Sequence, residues 1–260
     1  MAATTDNQEE QKARKPYVRL ATSDDYPQII EMGVRAFVAD PILLYIGNVQ
    51  EVQGSVLAPK DERGLRAFIV FVLKSTASRS GRVTVVVLPF DDGSERIVSA
   101  TYWLPPNKRI ENYQLVKLAK DGALPMVKAW GLSGITRMTE HYLDNVHHIL
   151  VDSFKQRGFQ KSDVDSKAWY LTMAMTDPEF QGRGFVSLLM REQFAHAPGG
   201  IHILETLTEK NKGLYEHFGF ELQKTFYVGE GKVGLDGLPE SGESATGVKV
   251  YPMIKWGDSV

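Results

Sequence analysis

The chain has 260 residues, 43% of them hydrophobic and 24% charged, which suits a soluble globular protein and excludes a disordered polymer. Its 30 Lys+Arg against 32 Asp+Glu leave a formal charge of -2, so no basic field exists to hold nucleic acid by phosphate neutralisation, and no nucleic-acid partner is expected. Cysteine is absent, which rules out disulfides, thiolate metal sites and a cysteine nucleophile.

Residues 1–15 are polar and aperiodic and read as a disordered tail before a single domain over 16–260. The first residues carry acidic side chains and no apolar core, unlike a secretory signal or transit peptide, and no apolar run reaches the ~18 residues of a membrane span. A cytoplasmic location without a membrane partner is expected. Tyr17–Leu20 reads as a strand. Thr22–Asp25 offers capping side chains before Ile29, Ile30, Val34 and Phe37, which recur at helical spacing and are expected to end at Pro41, with room for a short second helix after it. Residues 61–78 place Leu65, Phe68, Ile69, Val72 and Leu73 on one helical face. The β-branched run 82–88, the turn Asp91–Ser94 and the run 96–104 predict a hairpin.

Residues 107–158 read mostly as helix, with Gly158 as its stop, and 159–168 as a polar loop. Trp169–Met175 is nearly continuously apolar, as in a strand buried on both faces. A loop, a glycine turn and a helix to about Ala195 come next, then strand 201–206, a short helix 211–218, and strands 221–228 and 247–254 around a Gly-rich loop 229–246. That loop fits a mobile lid or a long hairpin connection. The order gives an α/β (α+β) fold with a mixed, mostly antiparallel sheet flanked by helices.

The chemistry concentrates at Gln181-Gly182-Arg183-Gly184-Phe185-Val186. Glycines at a strand-to-helix passage let the backbone approach a ligand, and the helix beyond offers unpaired N–H groups to phosphate oxygens. A tight turn alone would also use them. A Walker A loop, GxxxxGK followed by Ser or Thr, does not occur. A dinucleotide turn needs a third glycine where Ser187 stands, although Glu205 sits about the expected ~20 residues on. The third class is the acyl-CoA turn, Gln or Arg, two residues, Gly, one residue, then Gly or Ala.

That turn resembles the coenzyme A pyrophosphate loop of the GNAT superfamily (GCN5-related N-acetyltransferases). The lead-in Trp169–Phe180 is similar to the family's fourth strand and bulge, and Leu204–Phe220 to its fifth strand and next helix. Among small-molecule members the motifs are closest to the puromycin N-acetyltransferase group, with the match over about 169–222. The resemblance implies a GNAT fold with splayed fourth and fifth strands, acetyl-CoA as cosubstrate without a metal, and a small-molecule amine as acceptor. A protein-lysine or N-terminal acetyltransferase and a non-catalytic acyl-CoA sensor are the alternatives.

The resemblance also implies that Gln181, Gly182, Arg183, Gly184, Phe185 and Val186 hold the pyrophosphate through main-chain N–H groups. Val186 stands where Gly or Ala is usual, so its side chain must point away from the diphosphate. Met173, Ala174 and Met175 would run beside the pantetheine arm, and their side chains equally suit sheet packing. Tyr215 would protonate the departing thiolate, a role a phenol near pKa 10 can fill; a core aromatic is the plainer reading. Asn211, one helical turn earlier, would bond the cofactor arm or simply cap its helix. Glu205, in the apolar strand 201–206, needs a partner or a function and is the candidate base. Trp103, Pro105, Pro106, Trp130 and Tyr142 suit an acceptor pocket or the core. His141 and His147 stand six residues apart, off the spacing of a zinc pair, so no metal is expected.

Overall fold

Strand β1 (Tyr17–Leu20) leads through a 3₁₀ turn at Ser23–Asp25 into helix α1 (Tyr26–Phe37). The computed structural model of the chain describes residues 15–110 and 114–258, so the tail expected over 1–15 falls outside them except for Lys15. Helix α1 buries Ile29 and Met32 and brings Gly33 against Ile69. The short second helix is α2 (Pro41–Gly47), opened by Pro41 itself: proline fits the first helical position, and Asp40 Oδ1 accepts the Leu43 N–H at 3.0 Å. Helix α3 (Pro59–Ser78) comes next, again with proline first.

Strands β2 (Arg82–Pro89) and β3 (Glu95–Leu104) form the expected hairpin, and β3 is buried from Ile97 onward. The region read as mostly helical becomes helix α4 (Leu115–Lys120), helix α5 (Ala123–Thr136) with a break at Gly131, a π-helical segment Arg137–Leu143, and helix α6 (Asp144–Gln156). This arm is anchored from both ends. Arg79 and Asp121, 3% and 5% exposed, pair at 2.5 Å, and Ser75 Oγ donates to Asp121 at 3.2 Å. Trp130 stacks obliquely on Phe68 over Gly64, with ring centroids 5.5 Å apart. Arg137 donates to the Ile46 carbonyl through Nε and Nη2, at 3.1 and 2.7 Å, satisfying the end of α2.

The stretch read as a polar loop contains helix α7 (Asp163–Lys167). Beyond it lie strand β4 (Ala168–Thr176), a 3₁₀ turn at Pro178–Phe180, helix α8 (Phe185–His196), strand β5 (Ile201–Thr206) and helix α9 (Glu209–His217). The strand expected over 221–228 is two pieces, β6 (Glu221–Leu222) and β7 (Phe226–Val228), both on β8 (Val248–Lys255). The gap lies around Pro252 of β8, which has no N–H to give a ladder and only accepts from Gln223 N–H, at 2.8 Å.

The sheet order is β1-β2-β3-β4-β5-β8-β6, with β7 beside β8, and β4-β5 is its parallel pair. The mixed, mostly antiparallel sheet is therefore as expected. So is the splay: β4 and β5 pair only over Ala168–Tyr170 and Ile201–Ile203, and part beyond. The large core lies between the sheet and α1, α3, α5 and α6; two smaller clusters sit against α8. Loop 229–246 is packed and hydrogen-bonded. Val233 and Ala245 are buried, Gly247 N–H donates to Val233 O at 2.8 Å, and Gly237 lies so near the Pro41 carbonyl that a Cβ would overlap it.

Candidate active site

The splay opens onto the glycine turn. Asp177 comes directly after β4 with its side chain fully buried, bonded by Arg35 at 2.6 Å and Arg96 at 2.9 Å. Burial alone would raise its pKa; the two guanidinium groups outweigh it and hold the carboxyl below its usual value. Asp177 also accepts the Glu179 N–H at 3.3 Å, so one buried carboxylate fixes the 3₁₀ turn ahead of the glycines.

Gly182 and Gly184 both take φ of +77°, and a Cβ on either would meet open space. The conformation, not crowding within the chain, is what requires glycine there. Gly184 caps α8 from the left-handed region without a side-chain bond, and Leu188 N–H reaches back to Gly184 O at 3.3 Å. The preceding N–H groups have no carbonyl within the helix to bond and lie at the positive end of a twelve-residue helix. The side chains go elsewhere. Phe185 is buried between α8 and the β2–β3 hairpin, Val186 packs toward Leu204 and Tyr215, and Arg183 lies over Phe180 with its guanidinium carbon 5.0 Å from the ring centroid. Gln181 Nε2 donates to Thr176 O at 3.4 Å. Phe185 and Val186 are thus taken up by packing, Gln181 and Arg183 stay exposed beside the two glycines, and the N–H groups of a helix start suit phosphate oxygens.

Met173 and Met175 send their side chains into the large core, while Ala174 packs with the cluster of Tyr215 and Val186. Past Tyr170 the β5-facing edge of β4 has no strand beside it, and its backbone groups line the opening.

The far wall carries the titratable groups. Tyr170 Oη donates to Glu205 Oε1 at 2.5 Å and Tyr142 Oη to the same oxygen at 3.1 Å; Glu205 Oε2 is buried with no partner among the described residues. Burial raises the Glu205 pKa, opposed by the hydrogen bonds from Tyr170 and Tyr142 and by the field of Arg109. Arg109 stacks 4.1 Å from the centroid of Tyr170 and pairs with Asp165 at 3.0 Å. Tyr215 is 7% exposed, and burial followed by the charge of Glu205 pushes its phenol well above its usual pKa. Glu205 and Tyr215 thus lie within electrostatic reach of each other.

Asn211 is not the helix cap. Thr208 is: its Oγ1 accepts the Asn211 N–H at 3.2 Å and α9 starts at Glu209, leaving the Asn211 side chain exposed one turn before Tyr215. Of the aromatic residues considered for an acceptor pocket, Trp103 and Trp130 are core, and Tyr142 alone reaches the titratable group. His141 Nδ1 is 2.8 Å from Tyr45 Oη. Tyr170, Arg109 and the Arg35–Asp177–Arg96 bridge escaped sequence reading. Tyr170 was legible only by pairing its place in β4 with Ile203, two residues before Glu205.

No family model matches the chain. An uncharacterised N-acetyltransferase of Schizosaccharomyces pombe is 21% identical over 206 residues, 78% of this chain and 74% of that protein. Two solved structures share the fold. One, from Corynebacterium glutamicum, is named histone acetyltransferase HPA2 and related acetyltransferase; its TM-score is 0.57 at 19% identity, covering 94% of this chain and 97% of that one. The other is the Drosophila melanogaster polyamine N-acetyltransferase, with a TM-score of 0.52 at 15% identity, covering 93% and 100%. The fold read from the glycine turn and its flanking strands therefore holds: this chain has the GNAT fold.

Proposed function

We propose that this chain is an acetyl-CoA-dependent N-acetyltransferase that acetylates a primary amine of a small molecule. The reading rests on the parting of β4 and β5 past Tyr170, the glycine turn at the start of α8, and Glu205 and Tyr215 near enough for the charge of one to act on the other. The likeness to an N-acetyltransferase and to a polyamine N-acetyltransferase supports it. In this reading residues 16–260 form one domain acting in the cytoplasm, and no described helix is long and apolar enough to cross a membrane.

The residues fit the cosubstrate: the glycine turn presents N–H groups and open space, and Glu205 keeps one buried oxygen unpartnered among the described residues. Acetyl-CoA supplies an acetyl thioester whose carbonyl is attacked by the amine. Gly182–Val186 would hold its diphosphate, Met173–Met175 would run beside its arm through main chain, and Asn211 stands exposed near the same path. An amine is mostly protonated at neutral pH, and Glu205 takes that proton at Oε2. Once protonated, Glu205 is neutral, and its contribution to the raised Tyr215 pKa disappears. Tyr215 then gives its proton to the departing sulfur more readily, and the proton that the attacking nitrogen must lose to become the amide restores the phenol. No covalent enzyme intermediate is needed, because positioning two bound reactants supplies the rate.

Thiol release from acetyl-CoA tests the reading against polyamines, arylalkylamines, puromycin-like drugs, amino acids and a lysine peptide. The absence of cysteine removes any protein background with a thiol reagent. Release with one small amine class is expected. Release with the lysine peptide alone would favour a protein acetyltransferase, and acetyl-CoA binding without release would favour a sensor.

A further inference from the structure

Glu205 is held on one oxygen only. Tyr170 and Tyr142 both donate to Oε1, at 2.5 and 3.1 Å, and Oε2 is buried and unpartnered among the described residues. A carboxylate oxygen offers about two lone-pair sites, so Oε1 is fully used and Oε2 has the room left for a proton. We infer that Tyr142 and Tyr170 are positioning residues that fix the Glu205 carboxylate and keep it ionised, so that Oε2 alone receives the acceptor's proton. This rests on the reading of Glu205 as the base.

The two phenols arrive from different parts of the molecule. Tyr170 closes the paired stretch of β4, directly beside Ile203. Tyr142 comes from the π-helical segment, which is clamped to α2 by Arg137 on the Ile46 carbonyl and by His141 on the Tyr45 hydroxyl. The other groups that act on this cluster are Arg109 over Tyr170, Tyr215 from α9, and Asp40, whose charge reaches Tyr142; β8 contributes only Pro252 opposite Glu205. Of all these, the two phenols touch the carboxylate. A buried glutamate without donors takes up a proton and ceases to be a base, so the phenols oppose the effect of burial.

The test is kcat against pH at saturating acetyl-CoA, with the panel amine of highest turnover and spermidine tried first, for the parent protein, Tyr170→Phe, Tyr142→Phe and Glu205→Gln. Removing a donor to a carboxylate raises its pKa, so the acid limb moves to higher pH. The expected shift is about 1 pH unit for Tyr170→Phe and less for Tyr142→Phe, whose bond is longer. Acetyl-CoA Kd should stay unchanged in both by calorimetry, which a general loss of structure would not allow. Glu205→Gln should lose the acid limb and at least about 100-fold in kcat. Phenylalanine variants that keep the parent limb, beside a Glu205→Gln that has lost it, would overturn this inference and leave the base intact. A Glu205→Gln that keeps both rate and limb would overturn the base and this inference together. Should Tyr170→Phe fail to fold, Tyr142→Phe decides the matter with the same expected sign.

Discussion

The two walls of the β4–β5 opening are made in opposite ways. On the glycine-turn side the apolar side chains are spent on packing: Phe185 and Val186 join the clusters against α8, and Met173 and Met175 enter the core. On the Glu205 side the backbone is paired to β8 and the chemistry sits in side chains, drawn from β5, β4, α9 and the helical arm. The first wall is local, one stretch of chain held by the Asp177 bridge. The second is assembled across the molecule, with Tyr142 and Glu205 63 residues apart in sequence. A main-chain wall tolerates changes of side chain so long as they pack; a side-chain wall changes its chemistry with each substitution.

Substitutions on the two walls should therefore separate turnover from cosubstrate binding. The largest effect is expected from Tyr215→Phe, with kcat lowered about 10²–10⁴-fold while acetyl-CoA affinity stays near its starting value. Unchanged turnover would remove Tyr215 from the chemistry and break the contrast. Next, Asp121→Ala strips the partner from buried Arg79 where the arm is anchored, and should cost about 3–5 kcal/mol in denaturant unfolding. A loss below about 1 kcal/mol, the range of an exposed pair, would mean that the arm docks through Trp130 and Arg137 instead. The smallest effect concerns the main-chain wall: Gly184→Val forces a β-branched residue to φ of +77° and adds bulk to the cradle. Acetyl-CoA Kd should rise by about tenfold or more, since a penalty of about 1.4 kcal/mol corresponds to that factor. Equal affinity would show that the diphosphate lies elsewhere.

The same contrast explains what was legible in the sequence. The glycine turn, the apolar run of β4 and the strand of Glu205 are contiguous signals with a physical period, and their splayed arrangement in a mixed sheet comes with them. Tyr170 reads as one more aromatic in a buried strand, and nothing local tells it from Trp169. The break between β6 and β7 depends on Pro252, about thirty residues later and on the facing strand. Loop 229–246 reads as unpatterned because two of its glycines, Gly229 and Gly237, serve close approaches to α2, which only the folded chain shows. The tail assigned to residues 1–15 lies outside the described residues apart from Lys15.

The π-helical segment has a consequence for how this arm can change length. Each π turn spans an i to i+5 bond in place of i to i+4, so the segment 137–143 accommodates an extra residue relative to regular helix. Deleting that extra residue would return the segment to α geometry and keep the faces of α5 and α6, whereas a further one-residue deletion between Arg137 and Tyr142, with no bulge left to absorb it, would rotate α6 by about 100° against α5, at 3.6 residues per turn. Arg137 would keep its hold on Ile46 while Tyr142 swung off Glu205. The contact of Tyr142 with Glu205 is thus stored in a count of residues, and the π segment is the one point where the arm can lose a residue without turning its faces.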